Sequence, residues 1–316
     1  MVHEPDQTAQ SHVPVLLDEV LKNLLYRKSG TFVDATFGRG GHTRAILGAL
    51  DADARVVGFD RDPVAVAEGE RLAEEDARFA IHHSKFGELE RWLDEPVDGV
   101  LMDVGVSSPQ VDDPARGFSF SADGPLDMRM DPSTGEAAAD WLNTAEVGEI
   151  ADVLRRFGEE KQAGRIARAI VKARPLATTL ELAEVVAEAM PQAVRRGMRK
   201  HPATRTFQAL RIHINDELGE LERGLDAAFN LLKPGGRLAV ISFHSLEDRI
   251  VKQKFRALSQ PPPMPRRLPV QARPEDVAGE IVCGPLSASA LEVRQNPRAR
   301  SAKLRVIQKR AAGEAA

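Results

Sequence analysis

Cysteine is nearly absent from this sequence, since Cys283 is the only one in 316 residues. A single cysteine excludes an intrachain disulfide and a metal site built from cysteine pairs. Long apolar runs are absent too, because no uninterrupted stretch approaches the roughly 20 residues that span a bilayer. The polar, acidic segment 1–6 does not resemble a secretory signal. These absences predict a cytoplasmic protein that does not enter a membrane.

Two common catalytic motifs are also missing. No H-E-x-x-H pair of zinc ligands occurs, and the adjacent His82 and His83 would point to opposite faces of a strand. No G-x-S-x-G turn presents a serine nucleophile. We therefore expect no bound metal and no serine-hydrolase chemistry of that type.

The charge of the chain is unevenly distributed. The formal net charge is −4, but residues 251–316 contain 13 Lys+Arg and 5 Asp+Glu, a balance of +8. A basic C-terminal region on an acidic body suggests a local contact with a polyanion, and a solvated charged face is the alternative. The length fits one large domain or two smaller ones, and the 42% hydrophobic content is that of an ordinary globular protein.

The apolar pattern before Pro109 indicates an α/β sheet. Short apolar runs alternate with helical patterns, which is typical of a parallel sheet with crossover helices. The predicted strands are 31–35, 55–59, 78–82 and 98–103, followed much later by 238–243 and 301–308. The predicted helices of this sheet domain are one after Pro14, one at 63–73 and a long one at 205–231.

After Pro109 the alternation stops. Residues 110–135 are rich in Asp, Gly, Pro and Ser, which favours loops. Helices are then predicted at 136–143, 144–157, 159–173 and 179–190, which we interpret as an inserted all-helical domain. The predicted domains are 1–110 and 205–316 for the two parts of the sheet domain and 111–204 for the insertion. The Pro-rich stretch 259–290 is predicted to be irregular.

A glycine-rich turn follows the first predicted strand. Asp34 leads into Gly38-Arg39-Gly40-Gly41-His42, and the second apolar run ends at Asp60. Strand, glycine turn, helix, strand and acid is how an open α/β sheet holds a nucleoside. Glycines allow the backbone to approach a ligand, and the acid can accept hydrogen bonds from both ribose hydroxyls.

The sequence of the turn departs from the usual dinucleotide-binding pattern, and this departure indicates which nucleoside it holds. A dinucleotide site usually reads G-x-G-x-x-G, but no third glycine lies three residues after Gly40. Asp34 would repel a pyrophosphate and could attract the cationic or amino end of another ligand. S-adenosylmethionine (SAM) has a sulfonium, an ammonium and no phosphate. The turn therefore favours SAM over NAD as the cofactor.

Asp103 ends the fourth predicted strand, shortly before Ser107-Ser108-Pro109. Ligands of open α/β sheets bind beyond the carboxyl ends of the strands, so we expect Asp103 beside the cofactor. The lone pair of an exocyclic amine is delocalised into the base ring. Hydrogen-bond acceptors on the N–H groups of the amine return electron density to the nitrogen before it attacks the methyl group. Asp103 and Ser107 are therefore candidate catalytic residues. The alternative is that both groups only stabilise the turn.

His244 follows the fifth predicted strand and is a third candidate catalytic residue, able to orient a base or contact a phosphate. The alternative is a helix N-terminus at which Ser245 and Asp248 form a capping box, and the two roles can coexist. Two basic runs could hold phosphates, with a solvated surface as the alternative. Their candidate nucleic-acid-binding residues are Arg199, Lys200, Arg205, Arg298 and Arg300.

Ten segments of the chain together form a specific pattern. They are 12–17, 34–42, 60–63, 105–110, 116–120, 123–130, 157–160, 201–209, 241–249 and 296–301. In this order they resemble the bacterial 16S rRNA (cytosine-N4)-methyltransferase family, known as RsmH or MraW. Departures are small: Val104 stands where leucine commonly follows the acid, and the stretch 259–290 diverges.

The resemblance implies a class I SAM-dependent methyltransferase sheet, Rossmann-like, with an inserted helical domain that helps to hold RNA. It implies methylation of the N4 amine of a cytosine in the decoding region of 16S rRNA, with the small ribosomal subunit as partner. The positions that match the family's cofactor contacts are Gly40, Gly41, His42, Asp60, Phe86, Asp103 and Gln110. Phe86 could pack on adenine or be a core aromatic. The oligomeric state stays open, a homodimer included.

Overall fold

The computed structural model describes residues 14–261 and 277–311. The start of the first family segment, His12 and Val13, and residues 262–276 of the stretch predicted to be irregular lie outside these ranges. The chain divides into two compact units. We call Met1–Val104 with Leu221–Ala316 the sheet unit and Gly105–Glu220 the helical unit.

One sheet organises the sheet unit. Its strands in the described residues are β1 (Thr31–Asp34), β2 (Arg55–Asp60), β3 (Phe79–His83), β4 (Val97–Asp103), β5 (Leu232–Ser242), β6 (Gly279–Ser287) and β7 (Lys303–Lys309). Their order is β3-β2-β1-β4-β5-β7-β6. β1 to β5 pair with one another in parallel, and β7 runs antiparallel to β5 and β6. The predicted α/β fold of a class I methyltransferase is confirmed.

Helices flank this sheet and form the helical unit. In chain order the α-helices of the described ranges are α1 (Leu17–Leu24), α2 (Gly41–Ala49), α3 (Pro63–Glu75), α4 (Ser108–Asp112), α5 (Ala138–Thr144), α6 (Val147–Gly158), α7 (Ala163–Ala173), α8 (Thr179–Ala189), α9 (Gln192–Arg196), α10 (Thr204–Ile214), α11 (Glu217–Leu231), α12 (Ser245–Ser259) and α13 (Ala290–Gln295). Among these helices, none has the length and apolar character that a membrane crossing requires.

The sheet buries apolar side chains on both faces. Phe32 belongs to the same buried cluster as Ile46 of α2, whereas its neighbour Val33 belongs to the cluster that contains Leu225 of α11 and Phe255 of α12. Successive residues of a strand point to opposite faces, so helices cover the sheet on two sides. Burial on both faces explains why the strands are continuous apolar runs in the sequence.

Parallel pairing aligns the carboxyl ends of four strands along one edge of the sheet. β1 ends at Asp34, β2 at Asp60, β4 at Asp103 and β5 at Ser242. Three carboxylates therefore lie at the edge where open α/β sheets bind their ligands. Asp60 and Asp103, two of the predicted site residues, lie there because each of them ends a buried apolar run.

The prediction that 259–290 is irregular is wrong for its described C-terminal part, since Gly279–Ser287 forms the edge strand β6. The pairing of β6 with β7 shifts register between Ile281 and Cys283 and again before Leu286. These irregularities break the two-residue alternation by which a strand is recognised in a sequence. Most of the strand is also exposed, so burial leaves little pattern in its residues.

The long helix predicted at 205–231 is in fact two helices, α10 and α11. The helix is interrupted at Asp216, whose φ of 48° lies in the left-handed region that a helix interior does not use. Phe207 and Leu210 of α10 are buried in the core of the helical unit. This packing explains why the helical unit is Gly105–Glu220, whereas the sequence predicts an insertion at 111–204.

Asn215 joins the end of α10 to the loop before α5. It is 3% exposed, and its Nδ2 donates to the carbonyl oxygens of Met128 (2.7 Å) and Arg211 (2.9 Å). Its Oδ1 accepts from the N–H of Met130 at 2.8 Å. We expect Asn215→Ala to lower the free energy of unfolding by about 3 kcal/mol, because buried partners lose their hydrogen bonds.

Urea denaturation followed by circular dichroism measures this cost. The matched control is Asn230→Ala, because Asn230 is exposed and its side chain makes a 3.2 Å bond to Glu90. That change should cost less than about 0.5 kcal/mol. Equal costs for the two variants would show that Asn215 does not hold the loop in place.

Candidate active site

The glycine turn connects β1 to α2. Gly38 and Gly40 have φ angles of 57° and 72°, which favour glycine. A Cβ at Gly40 would lie 2.6 Å from Cζ of Phe37, and a Cβ at Gly41 would lie 2.6 Å from Cγ of Pro14. The turn therefore needs these glycines for its own packing, in addition to any approach of a ligand.

Asp34 is buried beneath this turn, with 1% of its surface exposed. Its Oδ2 accepts from the hydroxyl of Thr43 at 2.7 Å, and its Oδ1 accepts from the N–H of Thr36 at 3.2 Å. Burial raises the pKa of Asp34, and the neighbouring His42 and Thr43 oppose this rise. Asp34 thus fixes the turn from below. Its attraction for the cationic or amino end of a ligand stays a prediction.

Asp60 holds the turn from the side. One oxygen accepts from the N–H of Gly38 and the other from the N–H of Asp62, both at 2.8 Å. Burial raises the pKa of Asp60 to about 6, although both backbone bonds favour its ionised form. Each carboxylate oxygen has two acceptor positions, so each can still accept one hydrogen bond from a ligand hydroxyl.

His42 and Asp103 form a pair at the carboxyl edge of the sheet. Nε2 of His42 lies 3.6 Å from Oδ2 of Asp103, and the His42 side chain is 7% exposed. Burial disfavours the imidazolium, but Asp103 and then Asp34 more than offset this, so the pKa of His42 is raised. Both ring nitrogens of His42 and Oδ1 of Asp103 are buried without a hydrogen-bond partner among the described residues. Such atoms are satisfied when a polar ligand binds.

Two threonines that the sequence analysis did not single out hold this pair in place. The hydroxyl of Thr36 accepts from the N–H of Asp103 at 2.7 Å, which ties the turn to the end of β4. Thr43, one residue after His42, donates to Asp34 as described above. The position of Thr36, two residues after an acid that ends a strand, is the one sequence signal that could have indicated its role.

Phe86 begins a short 3-10 helix, Phe86–Arg91, that follows β3. The ring is half-buried and packs against α11, where a side chain at Gly224 would overlap it. This contact agrees with the core interpretation of Phe86. Packing on adenine stays a prediction.

His244 is the N-cap residue of α12. Its Nδ1 accepts from the N–H of Glu247 at 3.4 Å, and Oε2 of Glu247 accepts from the N–H of Phe243 at 2.8 Å. The predicted capping box of Ser245 and Asp248 is therefore wrong by one residue. Asp248 instead bonds to Lys303 and Arg305, which lie on β7. A cap explains the position of His244, and its catalytic role stays a prediction.

Ser107 and Gln110 belong to the helical unit. Ser107 is the N-cap residue of α4, and its N–H donates to Oε1 of Gln110 at 3.0 Å. Gln110 is 5% exposed. Both residues thus stabilise the start of a helix. A catalytic role for Ser107 and a cofactor contact for Gln110 stay predictions.

All five predicted RNA-binding residues are exposed. Arg199 and Lys200 lie between α9 and α10, and Arg205 reaches the carbonyl of Glu159 at 3.5 Å. Arg298 and Arg300 lie in the sheet unit, in the 3-10 helix Pro297–Ser301, on either side of the buried Ala299.

Comparisons with known proteins identify relatives of this chain. The family model of the MraW methylase family matches residues 9–310. Ribosomal RNA small subunit methyltransferase H of Stenotrophomonas maltophilia (strain K279a) is 54% identical, over 97% of this chain and 95% of that protein. The protein of the same name from Xanthomonas axonopodis pv. citri (strain 306) is 53% identical, over 96% of this chain and 89% of that protein.

A solved rRNA methylase from Streptococcus thermophilus gives a TM-score of 0.41 at 10% identity, over 93% of this chain and 94% of that chain. That distant likeness adds nothing to the sequence matches, which are decisive because they cover nearly the whole chain. The chain therefore belongs to the MraW methylase family and is a SAM-dependent methyltransferase, as its sequence predicts.

Proposed function

We propose that the protein methylates N4 of a specific cytosine in the decoding region of 16S rRNA of the small ribosomal subunit. The relatives are named as methyltransferases of small-subunit ribosomal RNA. An amine is favoured as the methyl acceptor because Oδ1 of Asp103, at the carboxyl end of β4, is buried and has no hydrogen-bond partner among the described residues. An acceptor of this kind suits a group that donates N–H bonds.

The residues of the sheet unit fit SAM. Asp60 has free acceptor positions for the two ribose hydroxyls, and His42 and Asp103 offer buried polar atoms to the amino-acid end. SAM supplies, when bound, a methyl group made electrophilic by its sulfonium. Gly40 and Gly41 shape the turn along which it lies, and Phe86 and Gln110 complete the proposed set of contacts.

Asp103 has the most direct proposed role in the reaction. The lone pair of the cytosine amine is delocalised into the base ring, which makes the nitrogen a weak nucleophile. A carboxylate oxygen that accepts from its N–H returns electron density to nitrogen and orients the lone pair. Ser107 and His244 are further candidates for such contacts.

The exposed Lys and Arg side chains are the proposed contacts to the RNA backbone. Lys and Arg side chains neutralise phosphates, whatever the base sequence. We assign this role to Arg199, Lys200 and Arg205 in the helical unit and to Arg298 and Arg300 in the sheet unit. The target base has to leave its stack to reach a methyl donor, so these contacts have to hold a locally opened RNA strand.

A methyl-transfer assay tests the substrate class. Labelled SAM is incubated with small ribosomal subunits that lack the modification, with DNA of similar size and with free cytidine. We expect label in the RNA of the subunits only. Label in DNA or cytidine would instead favour a SAM methyltransferase that acts on other substrates. RNA binding without any methyl transfer would favour a non-catalytic RNA-binding or assembly protein.

Asp60 should make the affinity for SAM depend on pH. Its pKa of about 6 means that it is mostly ionised at pH 7 and mostly protonated at pH 5. A protonated carboxyl loses acceptor capacity, so SAM affinity should fall about tenfold between pH 7 and pH 5. SAM should bind the enzyme with ionised Asp60 more tightly than the enzyme with protonated Asp60. SAM binding should therefore lower the pKa of Asp60 and release protons near pH 6.

Titration calorimetry in buffers of different ionisation enthalpy measures both the affinity and the released protons. Asp60→Asn is the matched variant, since it keeps the shape of the side chain and cannot titrate. Its SAM affinity should be weak and nearly independent of pH. Asp34 and His42 also have raised pKa values, so an undiminished pH dependence in Asp60→Asn would assign the effect to them.

A further inference from the structure

A cavity of about 260 Å³ lies beside the carboxyl end of β5 in the sheet unit. Its walls are the end of β5, the start of α12, the end of β6 and residues 300–303 before and in β7. β5 lies between β4 and β7 in the sheet. Neighbouring strands are about 4.8 Å apart, so β7 lies about 10 Å from the strand that ends at Asp103. The cavity is therefore on the catalytic edge, within reach of a nucleotide next to the target.

The lining is rich in cations and hydroxyl groups. Arg300 is exposed and makes no hydrogen bond or ion pair with the residues that the structure describes. The Lys303 side chain is 43% exposed. Three serine side chains also line the cavity and are exposed to solvent: Ser245, Ser287 and Ser301. Arginine, lysine and serine are the side chains that proteins use to contact phosphate oxygens.

The one carboxylate in the lining is already neutralised. Oδ1 of Asp248 accepts from Nε of Arg305 at 2.8 Å, and Oδ2 accepts from Nζ of Lys303 at 3.1 Å. Burial alone would raise the pKa of Asp248, but the bonds from Arg305 and Lys303 outweigh it and lower the pKa. With Arg300, three cations face one carboxylate, so the cavity keeps a positive balance.

The first turn of α12 borders the same cavity, because Ser245, its first residue, lines it. The N–H groups at the start of a helix have no carbonyl partner within it, and that of Glu247 bonds to Nδ1 of His244, so the N–H groups of Ser245 and Leu246 remain as donors. Glu247 lies in this turn, but its Oε2 accepts from the N–H groups of Phe243 and His244, and its Oε1 lies 3.0 Å from Nε2 of His244. Its charge is thus engaged with the cap.

We propose that this cavity binds a phosphodiester group of the RNA strand next to the target nucleotide. Arg300 and Lys303 supply charge, and the hydroxyls of Ser245 and Ser301 donate to the phosphate oxygens. The inference rests on the proposed rRNA methylation and gives it a defined anchor, since a held phosphate fixes where the neighbouring base can reach. A free phosphate ion has the same chemistry and is separated from RNA by the test.

The salt dependence of RNA binding tests the proposal. The affinity of the full-length protein for a single-stranded RNA oligonucleotide and for small ribosomal subunits is measured over a range of salt concentrations. Arg300→Ala should lower the slope of log affinity against log salt by about 0.7, the value for one phosphate on a single strand. Arg300→Lys should restore most of the slope, and Ser301→Asp should weaken binding more than Arg300→Ala.

Arg55→Ala is the matched control, because Arg55 is exposed at the opposite, amino end of β2. It should leave the slope unchanged. Equal slopes for wild type and Arg300→Ala would overturn the proposal. It would also be overturned if Arg300→Ala abolished the binding of inorganic phosphate but left RNA binding unchanged. The melting temperature of each variant shows that it is folded. Absence of methyl transfer by the wild type would instead count against the proposed function, since the slope needs only RNA binding.

Discussion

Asp103→Ala should reduce the rate of methyl transfer on the order of 100- to 1000-fold at saturating SAM and RNA. The variant removes the acceptor that we place on the target amine, and it leaves His42 without its carboxylate 3.6 Å away. The backbone N–H of Asp103 still bonds to Thr36, so the end of β4 should keep its position. Single-turnover transfer of labelled methyl groups to small ribosomal subunits measures the effect.

Two variants make this result specific. Asp103→Asn keeps one acceptor oxygen and should lose less activity than Asp103→Ala. Asp53→Asn changes an exposed aspartate in the loop before β2 and should have no effect. Calorimetry with SAM separates the two roles proposed for Asp103, because a loss of SAM affinity assigns it to the cofactor and a pure loss of rate assigns it to the amine. A near-wild-type rate in Asp103→Ala would remove this residue from the mechanism.

Gly40→Val should weaken SAM binding on the order of 100-fold or more. The φ of 72° at Gly40 costs a β-branched residue about 1–2 kcal/mol. Overlap with the Phe37 ring, 2.6 Å from the new Cβ, adds about 1–3 kcal/mol. Phe37 is 3% exposed and stacks on Phe79 with a centroid distance of 5.4 Å, so the ring cannot move aside. The turn has to shift instead, and the N–H of Gly38 then leaves Asp60.

Gly48→Ala is the control for this change. Gly48 lies in α2, the helix that Gly40 caps, and a Cβ there meets nothing within 4 Å. This substitution should leave SAM affinity unchanged and stabilise the helix by up to about 1 kcal/mol. Circular dichroism shows whether Gly40→Val is folded, and Gly40→Ala is the milder form of the same test. Folded variants that bind SAM like the wild type would mean that the turn does not hold the cofactor.

Much of the sheet unit could be predicted from the sequence because its strands are buried on both faces. A strand of this kind appears as a short apolar run, and β1, β2, β3 and β4 each lie within two residues of the predicted bounds. The acids that end these runs could be placed on one edge of the sheet, because the carboxyl ends of parallel strands lie at the same edge. Asp60 and Asp103 end β2 and β4 at this edge, as their place after the apolar runs predicts.

The missed features depend on contacts that are distant in sequence or on local geometry. β6 was missed because its shifted register hides the alternation of residues. The break at Asp216 requires a left-handed residue, which no apolar period reveals. The cap of α12 was placed one residue late because an N-cap histidine is unusual, whereas serine is common. The bonds of Asp34 to Thr36 and Thr43 follow only from the folded turn.

Analysis of the modified nucleoside shows whether the methyl group reaches N4 of one cytosine. RNA from small ribosomal subunits treated with the protein and isotopically labelled SAM is digested, and the labelled nucleoside is identified by mass spectrometry with fragment mapping. We expect N4-methylcytidine at a single position in the decoding region. A label on carbon 5 of the base, on a ribose hydroxyl or on another nucleoside would contradict it.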